Sequence, residues 1–171
     1  MIERKTSSDG REEIAMAIGR AVMRWQDATQ DFDEAVGNRL DISLAERRCL
    51  SLLLAGPQPA GAIADATSLT PAAVTALIDR LEARSLVART RSVEDRRKVI
   101  VEMTAKARAA TGRYYGPIAE DGTRFLATFS ATELRTILRF LDGATELQER
   151  HLAAVTAEAD AAQTADGSSG G

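Results

Sequence analysis

The stretch from Leu69 to Thr104 constrains the fold more than any other part of the chain. It reads LTPAAVTALIDRLEARSLVARTRSVEDRRKVIVEMT. Thr70 and Pro71 open a helix there. A threonine oxygen can accept from the free N–H groups of the first turn, and proline stands where a missing N–H costs nothing. Val74, Leu77, Ile78 and Leu81 then recur at helical spacing on one face. Leu86–Arg91 and Lys98–Met103 read as two strands, the second alternating Val99, Val101 and Met103 against Lys98, Ile100 and Glu102. A polar loop with arginines at its tip joins them. A capped helix followed at once by a basic hairpin is the order in which a winged helix-turn-helix offers one helix and one loop to a DNA duplex.

Charge supports a local rather than a global reading. The 171 residues carry 22 Lys and Arg against 25 Asp and Glu, a formal net charge of −3. Such a chain is not a non-specific nucleic-acid coat, yet binding follows the charge near the phosphates, not the total. Between Arg80 and Lys98 seven bases face three acids: Arg80, Arg84, Arg89, Arg91, Arg96, Arg97 and Lys98 against Glu82, Glu94 and Asp95. Hydrophobic residues make up 44%, mostly alanine and leucine, with only 4% aromatic. Both common residues are strong helix formers, so a mainly α chain with a small β-hairpin wing is the expected fold class.

The pattern divides the chain into four parts. Residues 1–42 form an N-terminal dimerisation helix, polar and frayed over the first ten residues, with Ile14, Ile18, Ala21, Val22, Trp25, Phe32 and Val36 at helical spacing from about Arg11 to Gly37. Residues 43–104 form the winged helix-turn-helix. Ser43 with Glu46 opens its first helix as a capping box, Leu50, Leu53 and Leu54 make that helix's buried face, and a short helix spans Ala60 to Thr67. Residues 105–157 supply C-terminal dimerisation helices. The first is capped by Thr104 and is bent or broken near Gly112, Gly116 and Pro117. The second is capped by Ser130 with Glu133 and carries Leu134, Ile137, Leu138, Leu141, Ala144 and Leu147. Residues 158–171, rich in Ala, Gly, Ser and Asp, read as a disordered tail.

The face of the Thr70–Arg84 helix opposite Val74 and Leu81 carries Ala72, Ala76, Asp79 and Ala83, flanked by Thr75 and Arg80. Small residues let a helix sit deep in a major groove, where alanine or threonine methyls can meet a thymine methyl and a hydroxyl can reach a base edge or phosphate. By itself this could equally be an ordinary surface helix. The loop alters the balance. Arg96 and Arg97 sit at a hairpin tip from which an arginine can enter the adjacent minor groove, and Asp95 can hold one guanidinium in place.

Leu69-Thr70-Pro71 with Val74-Thr75, Ile78-Asp79-Arg80-Leu81-Glu82, Leu86-Val87, Asp95-Arg96-Arg97 and Met103-Thr104 together resemble the MarR family of bacterial transcription regulators. The close match covers about Leu44 to Ala107; the flanking helices match in pattern only. The resemblance implies a homodimer with one winged helix per subunit and a dimerisation unit made from both chain ends, Ile14, Ile18, Leu134, Leu138 and Leu141 among its residues. A two-fold dimer would read a near-palindromic operator in double-stranded DNA, as a repressor or an activator, with repression the preferred reading. Thr70, Ala72, Ala73, Thr75, Ala76 and Arg80 would lie at the recognition helix, with Arg96 and Arg97 at the wing and Asp95 in support. Many members carry Arg or Lys where this chain has Ala76. Ser85 replaces the usual glycine after the helix and must take a left-handed cap at some cost.

Family members often bind a small aromatic or anionic effector between dimer helices and winged domain. Trp25 and Arg48 are the candidates for such a pocket, although Trp25 reads more readily as a core residue of the dimer helix, and Arg48, like Arg20 and Arg24, as a solvated charge. Cys49, the only cysteine, reads as a buried inert thiol rather than a redox sensor. His151 offers no metal cluster, and no cofactor is implied. The polar N-terminus lacks the apolar run of a secretory signal, and no stretch approaches the roughly 20 apolar residues of a membrane span. A cytoplasmic protein is therefore expected. Nucleotide-binding glycine loops and nucleophile–base constellations are missing from the pattern, which argues against an enzyme. The competing reading is a winged-helix dimer that serves as a ligand-binding or protein-interaction module without specific DNA binding.

Overall fold

A computed structural model describes the backbone of residues 3–91 and 99–167, with side chains over 10–91 and 99–158. The hairpin tip with Asp95, Arg96 and Arg97 lies outside the described residues. The elements are α1 (Glu3–Leu40), α2 (Leu44–Leu54), β1 (Gln58–Pro59), α3 (Ala60–Thr67), α4 (Pro71–Ala83), β2 (Val87–Arg91), β3 (Val99–Met103), α5 (Ala105–Leu126) and α6 (Ala131–Gly167). They fall into two compact units, residues 1–116 and 117–171. The architecture is mainly helical with a small antiparallel sheet, as expected.

The core of the first unit gathers Cys49, Leu50 and Leu53 of α2, Ile63 of α3, Val74, Leu77, Ile78 and Leu81 of α4, Val87 of β2, Val101 and Met103 of β3, and Ala107 of α5. Full burial of each Leu, Ile or Val contributes about 1.5–3 kcal/mol. All four residues of the α4 stripe are inside. On α2 Leu50, Leu53 and Cys49 are buried as expected, whereas Leu54, expected on the same face, is exposed. At 100° per residue Glu46, Cys49, Leu50 and Leu53 share one arc and Leu54 lies at its edge.

The sheet has three strands, ordered β1-β3-β2, rather than the expected pair. β2 pairs antiparallel with β3 from Val87↔Met103 to Arg91↔Val99. Gln58 and Pro59 add an edge strand against Val101 and Ile100, a position where a proline without an N–H is tolerated. Val101 and Met103 are buried whereas Val99, near the wing tip, is half exposed.

Three chain reversals use left-handed residues that are not glycine: Asp41 (φ 52°), Ser68 (φ 56°) and Ser85 (φ 56°). After α4, the Ser85 N–H donates to the Glu82 carbonyl at 2.8 Å and the Leu86 N–H to the Leu81 carbonyl at 2.9 Å. That pair of bonds is a Schellman closure. It aims β2 back along α4, so the recognition-type helix and the hairpin are joined through one strained serine.

Helix limits differ from expectation at three places. α1 starts at Glu3, not near Arg11. α5 continues through Gly112, Gly116 and Pro117; a single proline removes one backbone donor, and the neighbouring bonds carry the helix past it. α6 runs to Gly167, where a disordered tail from residue 158 was expected. Its last turns are alanine-rich, and alanine has the highest helix propensity.

Candidate nucleic-acid interface

α4 is fixed from both ends. Thr70 Oγ1 accepts from the Ala73 N–H at 3.3 Å, with Pro71 at the first helical position. At the other end Arg84 donates to the Leu40 carbonyl at 2.7 Å and the Asp41 carbonyl at 2.5 Å. These are the open carbonyls at the end of α1, so a cation also meets the negative pole of that helix. Lys106 of α5 donates to the Arg84 carbonyl at 2.9 Å.

With Val74, Leu77, Ile78 and Leu81 inside, the opposite face is exposed at Thr70, Ala72, Thr75, Ala76, Asp79, Arg80 and Ala83, and Ala73 is half-buried. Six predicted positions, Thr70, Ala72, Ala73, Thr75, Ala76 and Arg80, thus lie along α4 and its cap, with Ala73 the least accessible. The Thr75 hydroxyl donates back to the Pro71 carbonyl at 3.0 Å. Its proton is committed to its own helix, leaving the methyl and the oxygen lone pairs for anything outside.

Arg80 Nε donates to Glu46 Oε1 at 3.4 Å, and its side chain stays 58% exposed while that of Glu46 is 8% exposed. Glu46 also closes the α2 capping box: its Oε2 accepts from the Ser43 N–H at 2.8 Å, and its own N–H donates to Ser43 Oγ at 3.3 Å. Burial pushes the Glu46 carboxyl up. The Ser43 backbone and hydroxyl and the Arg80 guanidinium outweigh it, and the net shift is below the ordinary carboxylate value.

Arg89 of β2 is a residue that sequence reasoning missed. Its guanidinium bridges Asp79 and Glu82 of α4, and its backbone N–H donates to Glu82 Oε1 at 3.3 Å. The Asp79 hydrogen bond, opposed by partial burial and aided by Glu82, holds its pKa above the ordinary arginine value. The bridge locks the wing's first strand to α4 and offsets half the charge of the two carboxylates of that helix. Each acid–base pair was present in the sequence; which acid meets which base depends on the Ser85 reversal.

A second feature lies between α1 and α2. An open groove of about 700 Å³ is lined by Trp25, Gln26, Thr29, Asp33, Asn38, Arg47 and Arg48 among others. Both predicted pocket residues, Trp25 and Arg48, line it. Trp25 is 60% exposed rather than a core residue within this chain. Asp33 at the groove wall pairs with Arg47 and accepts from the Tyr115 hydroxyl of α5 at 2.9 Å. Tyr115 packs edge-on against Phe32 with ring centroids 5.5 Å apart. Burial and the neighbouring Asp33 carboxylate push the Tyr115 hydroxyl up, against an opposing Arg47.

The sequence profile of the MarR family matches residues 42–99. The chain is 29% identical over 122 residues to the uncharacterized HTH-type transcriptional regulator YcgE of Bacillus subtilis, covering 71% of this chain and 79% of that one. It is 32% identical over 104 residues to the HTH-type transcriptional repressor Rv2887 of Mycobacterium tuberculosis, covering 60% of this chain and 75% of the repressor. The chain belongs to the MarR family. The crystal structure of RV1404 from Mycobacterium tuberculosis shares the fold, with a TM-score of 0.58 at 20% identity over 76% of this chain and 91% of that one. Membership makes the chain a transcription regulator of winged-helix type, not an enzyme.

Two further sequence expectations fall within this MarR-family chain. Cys49 is fully buried among the α2 core residues, and burial with the nearby Glu46 charge pushes its thiol up to about 11. No single described helix is long and apolar enough to cross a membrane.

Proposed function

We propose that the chain is a homodimeric, DNA-binding repressor that lays α4 in the major groove of each half of a near-palindromic operator. The observation that carries this is the exposed face of α4: small side chains at Ala72 and Ala76, Thr70, Thr75 and Arg80 around them, and a rigid apolar face behind. Arg97 enters the minor groove, with Arg96 beside it and Asp95 in support. The dimer forms through apolar residues at both chain ends. Ile14, Ile18 and Leu138 are exposed within one chain, and Leu134 and Leu141 are half-buried. A two-fold dimer places half-sites about one helical turn apart. The groove at Trp25 and Arg48 offers an aromatic wall and a cation, which suits a small aromatic or anionic effector. The protein acts in the cytoplasm.

Fluorescence anisotropy on the duplex upstream of the protein's own gene, against a scrambled duplex near physiological salt, tests the reading. A preference on the order of a hundredfold fits a sequence-specific regulator. Arg97→Ala is expected to weaken binding while sedimentation still shows a dimer; unchanged affinity removes Arg97 from the mechanism. The rival reading, a winged-helix dimer acting as a ligand-binding or interaction module, draws on Ala76 and on the committed Thr75 proton, which leave few polar donors on α4. Duplex binding with a shallow salt dependence would favour that reading, because phosphate contacts release counterions.

A further inference from the structure

We infer that Glu46 is a positioning residue for sequence reading: its buried carboxylate holds Arg80 by Nε and leaves the terminal guanidinium amines to the duplex. The inference rests on the DNA-binding reading above and adds to it a residue on a different helix. Glu46 sits in the first turn of α2 and is nearly inaccessible. Both of its oxygens are committed. Oε2 accepts the Ser43 N–H at 2.8 Å and Oε1 accepts Arg80 Nε–H at 3.4 Å. The carboxylate therefore cannot swing toward a new partner without opening the α2 cap. Arg80 is half exposed on the outer face of α4. A free arginine there would be ordered only on binding, and ordering a long side chain costs affinity. An arginine held at Nε keeps the fork of its other two nitrogens for a guanine edge.

Charge makes the inference specific. A carboxylate near the duplex repels phosphates, so Glu46 adds nothing to binding of arbitrary DNA. Its contribution is to discrimination, through the geometry of Arg80. Glu46→Gln keeps an oxygen that can accept the Ser43 N–H and removes the charge that holds the guanidinium.

The test begins with selection of duplexes from a random pool by the wild-type full chain, followed by anisotropy on the selected and a scrambled duplex. Glu46→Gln, Arg80→Ala and the double variant are compared, with urea unfolding of each as the stability control. Glu46→Gln is expected to cut the selected-to-scrambled ratio by on the order of tenfold, the discrimination carried by one well-placed contact. Affinity for the scrambled duplex should stay level or rise. The Glu46→Gln effect should vanish in the Arg80→Ala background, while any stability change persists in both. An unchanged ratio, or an equal loss in both backgrounds, overturns the positioning role. Should Glu46→Gln not fold, Glu46→Asp, which keeps the charge but withdraws it from Arg80 by the length of a methylene, takes its place under the same criteria. If the wild-type chain enriches no duplex, the DNA-binding reading fails, and this inference with it.

Discussion

Ser85 joins α4 to β2 in a left-handed conformation with φ 56°, and replacing it with glycine should stabilise the protein. An L-residue in this region costs roughly 1–2 kcal/mol, because Cβ crowds the following carbonyl. Glycine removes that crowding but brings a more mobile unfolded chain, which returns roughly 0.5–1 kcal/mol. The net gain is about 0.5–1 kcal/mol. The contacts at this position are retained, since they are made by the backbone. The Ser85 N–H donates to Glu82 at 2.8 Å, and its carbonyl accepts from Thr104 Oγ1 at 2.8 Å. With a urea dependence of about 1–3 kcal/mol per molar, the unfolding midpoint of Ser85→Gly should rise by roughly 0.2–1 M. Far-UV circular dichroism in urea, at one fixed protein concentration because oligomers shift with dilution, measures it. Ser85→Ala keeps the Cβ and should move the midpoint little. A midpoint for Ser85→Gly that is unchanged or lower would refute the reasoning.

Acid should weaken the protein through Glu46. Its folded pKa lies below the ordinary value of 4.5, so its contribution is complete above that value and is lost as pH falls through it toward the folded pKa. The urea midpoint of wild type should therefore drop more steeply below about pH 4.5 than that of Glu46→Gln, and parallel curves would assign the acid sensitivity elsewhere. Arg89→Ala removes the bridge to Asp79 and Glu82; the partly exposed pairs predict a loss of about 1 kcal/mol. The two carboxylates left unpaired on α4 should also weaken duplex binding, and tighter binding in anisotropy would contradict this. Cys49 is buried with its thiol pushed up to about 11, so a disulfide reagent should label it only on the timescale of unfolding. Rapid labelling without denaturant would refute that placement, and peroxide should leave DNA binding unchanged.

What could be read from sequence was local. Thr70-Pro71, Ser43 with Glu46, and the Val74, Leu77, Ile78, Leu81 stripe involve residues at most seven positions apart, and the structure forms each as expected. β1 escaped because two residues cannot show an alternation, and Gln58 and Pro59 become a strand only by lying beside β3. The end of α6 was misread by composition: Gly and Ser lie beyond Ala-rich turns that have helical preference of their own. The exposure of Leu54 is a matter of angle, settled by where α4 and β3 press on α2. Arg89 and the second role of Glu46 were invisible for a stronger reason. Each depends on side chains from separate elements, 7, 10 and 34 positions apart, meeting after the chain has turned.

Pairing between elements also lowers the basic excess around α4. Seven bases face three acids from Arg80 to Lys98, but three of the four that lie among the described residues have structural partners. Arg80 holds Glu46, Arg84 closes the end of α1, and Arg89 bridges Asp79 and Glu82. Two of those three acid partners of Arg80 and Arg89, Glu46 and Asp79, lie outside the acids first counted, so the local excess is smaller than it reads. Arg84 and Arg89 are spent on placing α4 against α1 and β2, and Arg80 is held while still half exposed. On the proposed DNA-binding reading, attraction to phosphate falls chiefly to the bases of the 91–98 segment, while α4 presents a nearly neutral face of small side chains and one fixed arginine. A helix built this way discriminates by fit more than by charge. That is consistent with a regulator whose net charge is negative, for which binding to arbitrary DNA would be weak and recognition would depend on shape and on a few placed contacts.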